Sequence, residues 1–254
     1  MSDRPILFSG PMVNALLEGR KTQTRRVLNP QPEPLGPEYQ CDWRMHKGRA
    51  VFNFTNEQMA RGLASSLVPY AVGDRLWVRE AWRTPESLDH LSPTQIAAQC
   101  KEAGYHGVWC PRLTIADDMT HQWSEEDGFR DDEPAGRFRQ GMHMPRWASR
   151  LTLPVTDVRV QRLQDISEED AIAEGIARTI DSYGNGPSYC DYFLGENSDM
   201  AEWFRSPLDS FQSLWDSINA KRDGGKYAWE ANPWVVAPTF EIVRSNIDVI
   251  EVAA

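Results

Sequence analysis

Gly19-Arg20-Lys21-Thr22-Gln23-Thr24-Arg25-Arg26 sets one lysine, two hydroxyls and three guanidiniums within eight residues. Such a run either faces water as a solvated basic turn or builds a small positive site, since guanidinium and ammonium groups recognise phosphate and other anions. Other groupings carry less chemistry. Cys100, His106, Cys110 and His121 are zinc-ligand types, but their spacing matches no standard site, and no metal is expected. Glu80 alternates with Leu76, Val78 and Trp82 on one strand face, where a carboxylate calls for an arginine partner. His143 lies between Met142 and Met144, as packed or surface histidines do. There is no Walker loop, dinucleotide glycine pattern, Gly-x-Ser-x-Gly or His-Glu-x-x-His.

The elements around the basic run can be read from its punctuation. Ile6 to Phe8 is a short strand; Ser9-Gly10-Pro11 opens a helix with Met12, Val13, Leu16 and Leu17 as its apolar stripe, and Gly19 closes it. Proline at positions 30, 32, 34 and 37 makes an extended connector. Period-two alternation predicts a strand over Arg75 to Arg83 and another over Ser149 to Arg162, the second with a bulge near Pro154 to Asp157 where the apolar phase shifts. Ser167-Glu168-Glu169-Asp170 caps a two-turn helix ending at Gly175, so that Glu174 falls in its last turn. Ser206-Pro207 starts a helix with Phe211, Leu214, Trp215 and Ile218 as its buried stripe, and Trp234 to Val243 is a closing strand. Strands with long irregular connections and short helices predict an α+β chain: a small curved β-barrel with rim helices, forming a single domain over 1–254 with insertions at 29–70, 84–142 and 177–205.

Composition limits the partners. With 27 Lys+Arg against 37 Asp+Glu, the net charge of −10 opposes non-specific coating of nucleic acid. Residues 1–50 reverse the balance, while Glu125 to Glu133 form an acidic loop. No apolar run approaches the ~20 residues of a membrane span, and the N-terminus lacks a leader pattern. A cytoplasmic protein with no membrane partner and with thiols rather than disulfides is expected.

The basic run resembles the marker of the ASCH family of the PUA-like superfamily, Gly-x-Lys-x-x-Glu-x-Arg. Here it reads Gly19, Lys21, Thr24 and Arg26, with Thr24 where the general family has Glu. Threonine at that position is similar to the N4-acetylcytidine amidohydrolase branch. Gly73-Asp74-x-Leu76-x-Val78 resembles that branch's Gly-Asp strand, and Val155-Thr156 through Glu174-Gly175-Ile176 its second strand and following helix. The resemblance spans about 100 residues in three blocks and a terminal strand. Over its whole length the chain is similar to larger ASCH-like proteins often carried by phages and prophages.

The resemblance implies a cofactor-free amidohydrolase removing the acyl group from an N4-acylated cytosine nucleoside, with Lys21, Thr24 and Glu174 catalytic. Thr24 would be the nucleophile. Either Lys21 is the base, oriented by Glu174, or Glu174 is the base with a cationic Lys21 at the oxyanion. Burial and neighbouring arginines push the Lys21 pKa down while a close carboxylate pushes it up. Arg26 belongs to the marker. Phe8 matches an aromatic of the branch and, with Trp82, is the expected wall for the base. The alternative function is a non-catalytic or nucleolytic RNA- or DNA-binding module whose arginines grip phosphate.

Overall fold

A computed structural model describes residues 1–29, 31, 42–46, 49–53, 68–103, 111–121, 133–180, 186–193 and 203–250. The proline connector past Asn29, His106, Cys110 and the acidic run from Glu125 to Asp132 lie outside them. The chain is α+β, its sheets are small, and no closed barrel is detected among the described residues. No described helix is long and apolar enough to cross a membrane. The chain divides into two compact units, each assembled from separate stretches.

One unit comprises Gly19–Gly73 and Val155–Glu241, with Met1. Its main sheet is antiparallel: the strand Trp234–Phe240 lies between Arg26–Val27 and the strand Thr152–Arg162, whose residues from Val155 onward fall in this unit. The predicted bulge is present. Thr239 faces Asp157 and Phe240 faces Val155, so Thr156 is the extra residue. Ser167 caps the helix Glu168–Ala173, its hydroxyl accepting from the Asp170 N–H at 3.2 Å, and Glu174 is the C-cap before Gly175 at φ 84°. Ser206 likewise caps the helix Pro207–Asn219.

The core of this unit gathers Leu163, Ile166, Ala171, Ile176, Phe211 and Trp215. Trp215 Nε1 donates to Tyr227 O at 2.8 Å, so its one polar atom enters the core satisfied. The expected stripe of the last helix needs correction at Ile218, which is 59% exposed. The helix turns Ser210, Ser213 and Asn219 inward instead, and short hydrogen bonds to backbone carbonyls make that possible: Ser210 Oγ to Cys190 O, Ser213 Oγ to Ser210 O and Asn219 Nδ2 to Trp215 O.

The other unit comprises Ser2–Glu18, Asp74–Pro154 and Ile242–Ala254. Asp3–Leu7 pairs in parallel with Arg75–Arg79, which pairs antiparallel with Thr152 to Pro154. Pro11 sits in the first turn of the helix Gly10–Leu17, as its spacing predicts. The expected strand to Arg83 stops at Arg79 and resumes at Trp82–Arg83, which joins Arg112–Thr114 and Met119–His121 in a second sheet. Within the stretch 84–142, a Ser92 capping box starts the helix Pro93–Glu102, and Ile96 and Cys100 bury against Leu88.

Candidate active site

The backbone from Lys21 to Arg25 is extended but irregular. Lys21 bridges Glu174, Gln23 bridges Thr239, and a regular strand begins only at Arg26. The N–H groups of Thr22 and Gln23 both donate to Ala173 O, at 2.9 and 3.1 Å. These bonds satisfy a helix-end carbonyl and fasten the basic run beside the C-terminus of the helix Glu168–Ala173. Because side chains alternate along extended backbone, residues 21, 23 and 25 share a side.

All three meet that helix end. Lys21 Nζ donates to Glu174 Oε2 at 2.8 Å and to Glu174 O at 2.7 Å, with Lys21 2% and Glu174 3% exposed. Arg25 donates through one nitrogen to Glu174 Oε1 at 3.2 Å and Gln23 Oε1 at 2.6 Å, and through the other to Asp170 Oδ2 at 2.8 Å. Arg159 reaches Asp170 Oδ1 at 2.7 Å. The Glu174 carboxylate is thus held at one oxygen by Lys21 Nζ and at the other by a guanidinium. Arg25 also stands 5.8 Å over the Phe211 ring.

Arg25 and Arg159 face Glu174 and Asp170, and Arg159 also meets Asp157 at 3.8 Å. Burial is the largest influence on the Lys21 ammonium and pushes its pKa below the ordinary 10.5; Glu174 opposes this, while Arg26 and Arg25 reinforce it. For Asp170 burial works upward, but Arg159 and Arg25 outweigh it and hold the carboxyl below 3.8.

The expected site residues divide. Lys21, Thr24, Arg26 and Glu174 belong to one unit, and Phe8 and Trp82 to the other. Thr24 is 3% exposed and its N–H donates to Pro238 O at 3.2 Å. Among the described residues no hydrogen bond joins its hydroxyl to Lys21 or Glu174. Arg26 opens the strand opposite Val236 and acts on Lys21 through its charge. Trp82 as a stacking wall is corrected: it is fully buried, with Trp147 edge-on at a centroid distance of 5.7 Å and Met144 and Ala148 around it. Its indole is committed to a core. Phe8 is 6% exposed, its N–H bonded to Arg79 O at 3.1 Å.

Three participants escaped the sequence reading: Gln23, Asp170 and Arg159. Gln23 and Arg25 could have been found from the period of two that starts at Lys21, and Asp170 from its place one helical turn before Glu174. Arg20 serves differently, donating to Gly175 O at 2.7 Å and Ile176 O at 3.3 Å beyond the helix end. Glu80 has the arginine partner its strand position calls for, Arg150, at 2.8 and 3.0 Å.

Compared with family models, curated proteins and solved structures, the chain finds no match in any of the three.

Proposed function

We propose that the chain is an amidohydrolase that removes the acyl group from N4-acylated cytosine nucleosides. The observation that carries this reading is the buried Lys21–Glu174 contact at 2.8 Å, with burial lowering the lysine pKa. In this mechanism Lys21 is the base and Glu174 orients it. For this the Thr24 hydroxyl, which lies on the other side of the extended run from residues 21, 23 and 25, must turn towards Lys21 Nζ; it then adds to the acyl carbonyl carbon and its proton passes to that nitrogen. Collapse of the tetrahedral adduct breaks the C–N bond, and the departing N4 amine takes that proton, leaving an ester on Thr24. Water then attacks the ester and gives a proton to Lys21, the C–O bond to Thr24 breaks, and Lys21 returns that proton to the departing Thr24 oxygen as the carboxylic acid leaves. The small sheets are, on this reading, parts of an ASCH-like barrel with insertions, in a cytoplasmic enzyme of the kind phages carry.

Commitment of the arginines supports this reading over the phosphate-gripping module. The Arg25 side chain is fully buried on two carboxylates, and Arg20 serves helix-end carbonyls. Near-complete burial of Lys21 and Glu174 favours one competing role, a clamp that only holds the helix end. The deciding assay follows conversion of N4-acetylcytidine to cytidine by ultraviolet absorbance, for the protein and for Lys21→Met and Thr24→Ala. Turnover lost in both, with circular dichroism unchanged, supports the enzyme. Absence of turnover with N4-acetyl and bulkier N4-acyl cytidines would leave the clamp.

A further inference from the structure

A cavity of about 200 Å³ lies beside the helix Pro207–Asn219, wholly within the unit that contains that helix. It is smaller than the usual drug-sized site, about 300–1,000 Å³, and suits a ligand of a few heavy atoms. Phe193 and Phe204 give it aromatic walls, and Asp209, Gln212 and Asp216 of the helix give it acceptors. The Phe204 wall is fixed, since its N–H and C=O both bond to Tyr189, at 2.9 and 2.8 Å. Ser213 also lines the cavity, but its hydroxyl is spent: it donates to Ser210 O and accepts the Tyr192 N–H.

The two carboxylates are available. No lysine, arginine or histidine lines the cavity, and among the described residues neither Asp209 nor Asp216 pairs with a cationic side chain. Asp216 Oδ1 accepts the Trp229 N–H at 2.8 Å, which leaves Oδ2. Gln212, between the two, has no side-chain hydrogen bond among the described residues, so its Oε1 is a third acceptor. Asp209 stands in the first turn of the helix, where the main-chain amides favour its charge. Asp216 stands in the last turn, where the dipole opposes a carboxylate and a cation relieves it.

We propose that this cavity binds a short α,ω-diamine with both ends protonated. One ammonium pairs with Asp209 and the other with Asp216, while the methylenes and the charged ends lie against the two phenyl rings. Helical spacing selects the length. Seven residues are nearly two turns, so both carboxylates lie on one face, about 10.5 Å apart along the axis. A four-carbon diamine, about 6 Å between nitrogens, bridges that gap with an ammonium–carboxylate hydrogen bond of about 2.8 Å at each end. A monoamine leaves one carboxylate without a counter-charge, and a neutral apolar ligand strands all three acceptors. The net charge of −10 draws cations to the chain in general, so the aromatic walls and the paired spacing are what must distinguish this site.

Titration calorimetry on the full chain at fixed ionic strength tests this with 1,4-diaminobutane, 1-aminobutane and magnesium ion. The expected result is binding of the diamine, with the monoamine and the metal weaker by about tenfold or more. Asp216→Asn, whose amide oxygen still accepts the Trp229 N–H, and Phe193→Ala, at an exposed position, should each weaken the diamine by a similar factor with circular dichroism unchanged. No heat with the diamine at millimolar concentration, equal binding of 1-aminobutane or magnesium, or diamine binding that neither variant alters would overturn the assignment.

Discussion

Lys21 Nζ donates both to the main-chain carbonyl and to the carboxylate of Glu174, a residue 153 positions away, at 2.7 and 2.8 Å. One amine thereby closes the end of the helix Glu168–Ala173 and fixes the direction of the carboxylate that follows it. Because both groups are out of water, the pair has consequences for stability as well as for chemistry.

Removing one partner should cost more than removing both. Lys21→Met leaves Glu174 buried with Arg25 alone, and loss of half a buried pair costs about 3–5 kcal/mol. The double variant Lys21→Met/Glu174→Gln should recover part of that loss. Urea unfolding of Lys21→Met, Glu174→Gln and the double variant checks it; a double variant as unstable as the sum of the singles would show that the two groups act independently.

Stability should rise with pH below the ordinary lysine value. Between the lowered folded pKa of Lys21 and 10.5, the unfolded chain holds a proton the folded chain lacks, so alkali favours folding across that window. Lys21→Met should flatten this limb of the unfolding free energy. An unchanged slope would mean that Lys21 stays protonated when folded.

Glu80 should act with the opposite sign. Its folded pKa is raised, chiefly by burial, so above 4.5 the folded chain holds the extra proton and stability falls as pH rises through the folded value. Glu80→Gln should remove that decline, while Arg150→Met, which strips the buried carboxylate of its guanidinium, should destabilise by about 3–5 kcal/mol at neutral pH. Denaturant titrations between pH 4 and 8 separate the two.

Gly141 should not tolerate alanine. A Cβ there would lie 2.8 Å from Leu7 Cδ1 and 2.9 Å from the Glu80 carbonyl carbon, and the second contact is with backbone, which cannot swing aside. Overpacking of this kind costs about 1–3 kcal/mol. A melting temperature equal to that of the parent would show that the Leu7–Glu80 region is looser than its geometry.

Helix starts and stops were legible because proline, serine and glycine act locally: Pro11, Ser167, Ser206 and Gly19 all do what their types require. The bulge at Thr156 was legible as a change of apolar phase. Pairing was harder. Nothing near Glu80 points to Arg150, 70 residues on, and nothing near Lys21 points to Glu174 without the resemblance that aligns them. The alternation that put Glu80 on a buried face also made Trp82 look available to a ligand. Its burial comes from Met144, Trp147 and Ala148, contacts that only tertiary folding supplies. Ile218 misleads for a related reason, since polar residues with local hydrogen bonds take the inward face in its place.

The most direct test of the central claim is the rate of cytidine release from N4-acetylcytidine by the parent and by Glu174→Gln, measured across pH on samples with matched circular dichroism. If Lys21 is the base and Glu174 orients it, Glu174→Gln should lower kcat by at least about tenfold and move the rate's basic dependence on pH, since the lysine loses its carboxylate. Equal rates and an unmoved profile would contradict a catalytic Lys21–Glu174 pair and reduce it to a clamp on the helix end.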